Sequence, residues 1–167
     1  MTRSGLSIGR LGEAPGPGFQ HHHLLPLALR RRSQIDIFLS ELGGTGFSLS
    51  DRQTNCLWLP AEERLAARVG AAMHRGPHPH YSEVVAARVD RIRQTSRRLP
   101  PGQRASASLR RLRRLQRALT HILAGQGPRL VRLNRRDPLR LFVDYSQLDA
   151  AIDDLINLDA LSLNGDG

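Results

Sequence analysis

The sequence predicts an α+β domain with extensions at both ends. Three observations lead there. Short apolar runs bounded by turn residues lie in the first third of the chain, and longer stretches repeat apolar residues at helical spacing. The 167 residues, 40% of them hydrophobic, suffice for one ordinary core. No internal repeat is visible.

Residues 1–18 are rich in Gly, Pro and Ser and end in APGPG, the composition of a flexible leader. After Phe19, the apolar pair Leu24-Leu25 predicts a short strand closed by Pro26. LALRRRSQIDIFLSEL predicts one helix ended by Gly43-Gly44. GFSL and NCLWLP predict extended pieces on either side of a polar SDRQT turn. AEERLAARVGAAM has a helical composition. HPHYSEVV opens the next helix, with Pro79 at its first position and Tyr81, Val84, Val85, Val89 and Ile92 on one apolar face.

LPPG, from Leu99 to Gly102, reads as a boundary. Beyond it, Leu109, Leu112, Leu119 and Ile122 define an Arg-rich helix that Gly125 would cap. RLVRLN and LRLFVDY flank RRDP and predict a small β-hairpin. QLDAAIDDLINLDALSL predicts an acidic amphipathic helix. The expected division is a leader over 1–18, a compact part over 19–98, an Arg-rich helix and hairpin over 99–143, and an acidic helical tail over 144–167.

Composition removes several function classes. No apolar run approaches the roughly 18 residues of a membrane-spanning helix, and no Sec signal peptide is evident. A cytoplasmic protein, or one exported by a Sec-independent route, is expected. The single Cys56 precludes an internal disulfide and a Cys-rich zinc site, which leaves His, Asn or carboxylates to hold any metal. Net charge is +10, and all 25 basic residues are Arg. From Arg88 to Arg140 there are 16 Arg against Asp90 and Asp137, whereas from Asp144 onward there are six Asp and no basic residue. Such a block suits nucleic-acid phosphates without sequence readout; it equally suits a solvated Arg face over a Leu stripe. The same stretch contains no aromatic residue, which argues against a base-stacking surface there.

FQHHHLLP places three histidines side by side ahead of an apolar LLP. The run is internal and short, unlike a purification tag. Any one histidine is most simply a polar surface residue. Their company is what stands out: His22-His23, then Asn55 at the start of NCLWLP, then His74 and His78 in HRGPH.

HHHLLP, GFSLSDRQTNCLWLP and HRGPHPHYSEVV together resemble the AHH nuclease family of the HNH/endonuclease VII, or His-Me finger, superfamily, over about residues 19 to 95. His21 stands where that family usually has Ala. The resemblance implies a His-Me finger (ββα-metal) nuclease core with surrounding helices and one divalent metal ion. By register to LLP it makes His23 the general base and His22 a metal ligand, with His21 outside the site. Adjacent strand residues point to opposite sides, which gives the doublet a physical reason: one imidazole for an ion, one for a water.

His74 and His78 resemble the remaining metal ligands, although either could instead cap the helix at Pro79. Asn55 resembles the central catalytic Asn that positions the base; closing a turn is its plainer role. Arg75 is a candidate substrate-binding phosphate clamp or an ordinary solvated Arg. The implied reaction is endonucleolytic hydrolysis of phosphodiester bonds in DNA or RNA, with His23 deprotonating water. Three imidazoles suit zinc or nickel, and phosphate chemistry often uses magnesium or manganese, so the metal stays open. Family members include bacterial toxin-type nucleases, for which a cognate immunity protein is the expected partner. A catalytically inactive His-Me finger serving as a nucleic-acid-binding or partner-binding module is the alternative.

Overall fold

The computed structural model describes residues 14–126, 133 and 146–163. It is helix-rich, with one small antiparallel sheet of two strands, β1 (Phe19–His23) and β2 (Cys56–Pro60). Their register pairs Phe19 with Pro60, His21 with Trp58, His22 with Leu57 and His23 with Cys56. The helices are α1 (Ser33–Glu41), α2 (Arg52–Asn55), α3 (Glu63–Val69), α4 (Pro79–Arg97), α5 (Pro101–Leu123) and α6 (Ser146–Leu163).

The histidines themselves form the first strand, and the expected Leu24-Leu25 strand does not exist. Adjacent residues of a strand face opposite ways, yet both leucines are fully buried. The chain therefore leaves the sheet at His23. Asn55 takes over the pairing: its carbonyl accepts from Leu24 N–H and its side-chain oxygen from Leu25 N–H, each at 2.9 Å.

The single helix expected after Pro26 is broken at Arg32, whose φ of −101° and ψ of 103° separate a 3-10 turn (Leu27–Arg31) from α1. At about 100° per residue, a continuous helix would turn Leu29 roughly 120° away from Ile35. The break lets both enter the core, at 2% and 3% exposure. GFSL forms no strand either. The Leu49 carbonyl is taken by the Asn55 side chain at 2.8 Å, and a sheet partner is absent among the described residues. SDRQT, expected as a turn, holds the first three residues of the one-turn helix α2. Asp51 caps it by accepting from Gln53 N–H at 2.9 Å and Thr54 Oγ1–H at 2.8 Å. The helical AEERLAARVGAAM stretch is helical only over α3.

α4 matches its expectation, with Pro79 in the first turn and Tyr81, Val85 and Val89 buried. Leu99–Gly102 spans the turn between α4 and α5, which pack against each other. In α5, Leu112, Leu115, Leu119, Ile122 and Leu123 are buried while Arg110, Arg113 and Arg117 are exposed, so the Arg face does lie over a Leu stripe. Gly125 follows at φ 73°, where a Cβ would run into the Gly70 carbonyl.

α6 is the expected acidic helix, and it packs against α5. Leu148, Ala151 and Ile152 are buried in the shared core. Arg88 of α4, with its side chain 7% exposed, is ion-paired to both Asp149 and Asp153 and donates to the Asp149 carbonyl at 2.8 Å. The leader and the RRDP hairpin fall largely outside the described residues.

Candidate active site

β1 alternates its side chains. Gln20 and His22 take one face of the strand, and His21 and His23 take the other. On the first face His22 is 3% exposed, held edge-on by the Tyr81 ring at 4.9 Å. Tyr81 is itself fixed, donating its hydroxyl to the Leu24 carbonyl at 2.7 Å.

His74 and His78 arrive on the loop between α3 and α4. His74 N–H donates to the Pro60 carbonyl at 2.7 Å, which lays that end of the loop against β2. Gly76, at φ 75°, then turns the chain back, a conformation that disfavours any side chain. His78 stands at the N-cap of α4, and its ring makes no capping hydrogen bond. The two histidines are therefore brought together by a bent loop rather than by one helical turn.

The three rings converge. Centroids lie 5.1 Å apart for His22–His74, 5.2 Å for His22–His78 and 4.7 Å for His74–His78, and their candidate ligand nitrogens all fall within 4.8 Å of one another. His22 Nε2 and His78 Nδ1 are buried without a hydrogen-bond partner. His74 Nδ1 hydrogen-bonds Gln20 Oε1 at 3.0 Å, an acceptor that fixes the proton on Nδ1 and leaves Nε2 with a lone pair. Buried polar atoms are ordinarily satisfied, so two orphaned nitrogens facing a third make a site that fits a cation.

Electrostatics agree. Burial above all, then His74, His78 and His23, hold His22 well below the ordinary imidazole value. Burial first, then His78 and His23, lower His74 to about 4. Burial lowers His78 as well, against a smaller opposing contribution from the Leu133 backbone. All three shifts favour the neutral form, in which imidazole coordinates a metal.

His23 stands at the end of β1, half-buried, where its charge bears on both His22 and His74 of the cluster. Burial and then the Arg52 charge push its imidazole down. Asn55 is wholly buried, and its four side-chain hydrogen bonds consume its capacity. It accepts from Leu25 N–H at 2.9 Å and Gln116 Nε2 at 3.0 Å, and donates to the carbonyls of Leu25 at 2.9 Å and Leu49 at 2.8 Å. Arg75 is exposed on the loop between the two histidines. A cavity of about 520 Å³ opens beside His78, bordered by Arg31, Arg32, Ser82 and Glu83.

Four contributors escaped the sequence. Tyr81 lay within the HRGPHPHYSEVV segment and on an apolar face, but its hold on His22 did not show there. Gln20 could have been found two positions before His22 on the same strand face. Gln116 is a polar residue inside the Leu stripe of α5, a recognisable anomaly. Arg52 contacts His21 and bears on His23, and its place in a polar turn carried no signal.

Among known proteins, no curated protein and no solved structure matches the chain. A family model does: AHH, described as a nuclease family of the HNH/ENDO VII superfamily with conserved AHH, matches residues 6–119 of the 167. With that match spanning the histidine strand, the Asn55 knot and the His74–His78 loop, the chain belongs to the AHH nuclease family.

Proposed function

We propose that this nuclease is a metal-dependent endonuclease that hydrolyses phosphodiester bonds, with β1, β2 and α4 as its ββα-metal unit. The observation that carries the proposal is the pair of buried, unpartnered nitrogens, His22 Nε2 and His78 Nδ1, facing His74. These two atoms and His74 Nε2 would hold one divalent cation. When bound, such an ion supplies positive charge against the phosphate and the leaving oxygen. Three imidazoles favour zinc or nickel by ligand softness, with magnesium and manganese as the other candidates.

His23 is the general base. Its neutral imidazole is supported by burial and by the nearby Arg52 charge, and it takes a proton from the attacking water. Asn55 acts as a positioning residue: it holds the backbone of Leu24 and Leu25, which fixes how His22 and His23 leave the strand. Gln20 orients His74. Arg75, exposed beside His74, is a phosphate clamp in this proposal.

The test is plasmid nicking by chelated protein resupplied with Mg²⁺, Mn²⁺, Zn²⁺ or Ni²⁺ in turn, beside an RNA substrate. Cleavage restored by at least one ion and lost again in His23→Ala is the expected result. Cleavage that persists in chelator would defeat the metal requirement. Nucleic-acid binding without cleavage in every metal would point instead to an inactive module.

A further inference from the structure

The face of β1 that turns away from the metal cluster carries a second arrangement. His21 lies directly across the sheet from Trp58, and the two rings stack with centroids 3.5 Å apart and planes 32° from parallel. Arg52, exposed at the start of α2, places Nη2 against His21 Nδ1. Among the described residues, the hydrogen bonds found for this guanidinium all go to His21. The carboxylate next to it in sequence does not neutralise it by contact, because Asp51 turns one oxygen to Gln53 N–H and the other to Thr54 Oγ1.

A guanidinium has five N–H donors in a planar fork, and a single imidazole occupies only part of it. His21 therefore holds Arg52 while leaving donors for a second acceptor. The charge sits where it acts on both His21 and His23. His23 shares the strand face with His21, so an anion bound by Arg52 lies along the same face as the base.

We propose that Trp58, His21 and Arg52 form a phosphate-binding stack: Arg52 donates to the non-bridging oxygens of a nucleic-acid phosphodiester beside His23, His21 fixes the guanidinium, and Trp58 backs His21. The proposal rests on the nuclease function above. It gives His21, the first histidine of the run, a task, holding a substrate-binding arginine, which Ala at that position could not perform. It also places a positive group for substrate outside the Arg-rich α5.

The test is fluorescence anisotropy of a labelled DNA duplex, with an RNA duplex in parallel, in a His23→Ala background with Mg²⁺ present so that the probe is not consumed. Arg52→Ala is expected to weaken binding about tenfold, the scale of a charged hydrogen bond. Arg64→Ala, which removes the same charge from the exposed side of α3, should cost about twofold. Arg52→Lys should recover less than half of the loss, since an ammonium cannot fork. His21→Ala should cost about threefold alone and nothing further in the Arg52→Ala background, because the two act as a unit.

Equal losses for Arg52→Ala and Arg64→Ala, or additive losses for His21 and Arg52, would overturn the stack and leave the nuclease assignment standing. Absence of DNA and RNA binding by the parent protein would overturn both. A loss confined to one duplex upholds the stack and identifies the preferred nucleic acid.

Discussion

Replacing Asn55 separates a structural role from a chemical one. Its side chain is completely buried and joined to four partners: Leu25 N–H, the Leu25 carbonyl, the Leu49 carbonyl and Gln116 Nε2. Asn55→Ala leaves these groups inside the core without that partner, at about 1–3 kcal/mol each. Even the low end sums to about 4 kcal/mol, against a total stability of about 5–15 kcal/mol for a domain. Asn55→Asp keeps the shape and both accepted bonds, but it turns an oxygen toward two carbonyls in a buried setting and should cost at least as much. A residue acting only on an ion or a water would tolerate Asp far better.

The assay is equilibrium urea unfolding of chelated protein, followed by the fluorescence of Trp58, the one tryptophan of the chain. With a urea slope of about 2 kcal/mol per molar, both variants should lower the midpoint by roughly 2 M. An Asn55→Asp protein with the wild-type midpoint and weakened metal binding would refute the structural knot and place Asn55 at the ion instead.

His23→Ala should reduce cleavage by about 10²–10⁴ while Co²⁺ uptake stays intact, whereas His22→Ala and His78→Ala should lose uptake itself; spectroscopic titration beside the nicking assay distinguishes them. Truncation after Arg98 removes five apolar α5 side chains that are at most 1% exposed, worth about 2 kcal/mol each, so the fragment should be unfolded by circular dichroism; a folded, metal-binding fragment would support the division at residue 98. Hydrogen bonding from Arg88 holds the Asp153 carboxyl below its usual range. Stability from that pair is therefore present above the unfolded carboxylate value of about 3.9 and is lost as pH falls through the lowered folded value. Acid titration should release α6 in this window, and the step should vanish in Arg88→Met, which hydrogen exchange along α6 would record.

What could be read from the chain depended on where each signal resides. α4 and α5 were legible because a proline at the start and apolar residues at helical spacing are local facts. The break at Arg32 was not, because it arises from where Leu29 and Ile35 must point in the assembled core. The Leu24-Leu25 strand misled for the same reason: two adjacent leucines carry strand propensity, yet both belong to one core. In the site, the family resemblance supplied the histidines and Asn55. The supporting groups Gln20, Arg52 and Gln116 owe their roles to partners 54, 31 and 61 positions away, and no local pattern marks such pairs.

Gln116 also orders events in time. A ribosome delivers His22 and His23 long before it delivers α5, which contributes both the donor to Asn55 and the leucines that cover the exit of β1. Until then Asn55 lacks one of its four partners, and the backbone that aims His22 at His74 and His78 has no finished core behind it. The strand that carries the site histidines is thus completed by a helix made about ninety residues later, so the core behind the site closes only once α5 has emerged.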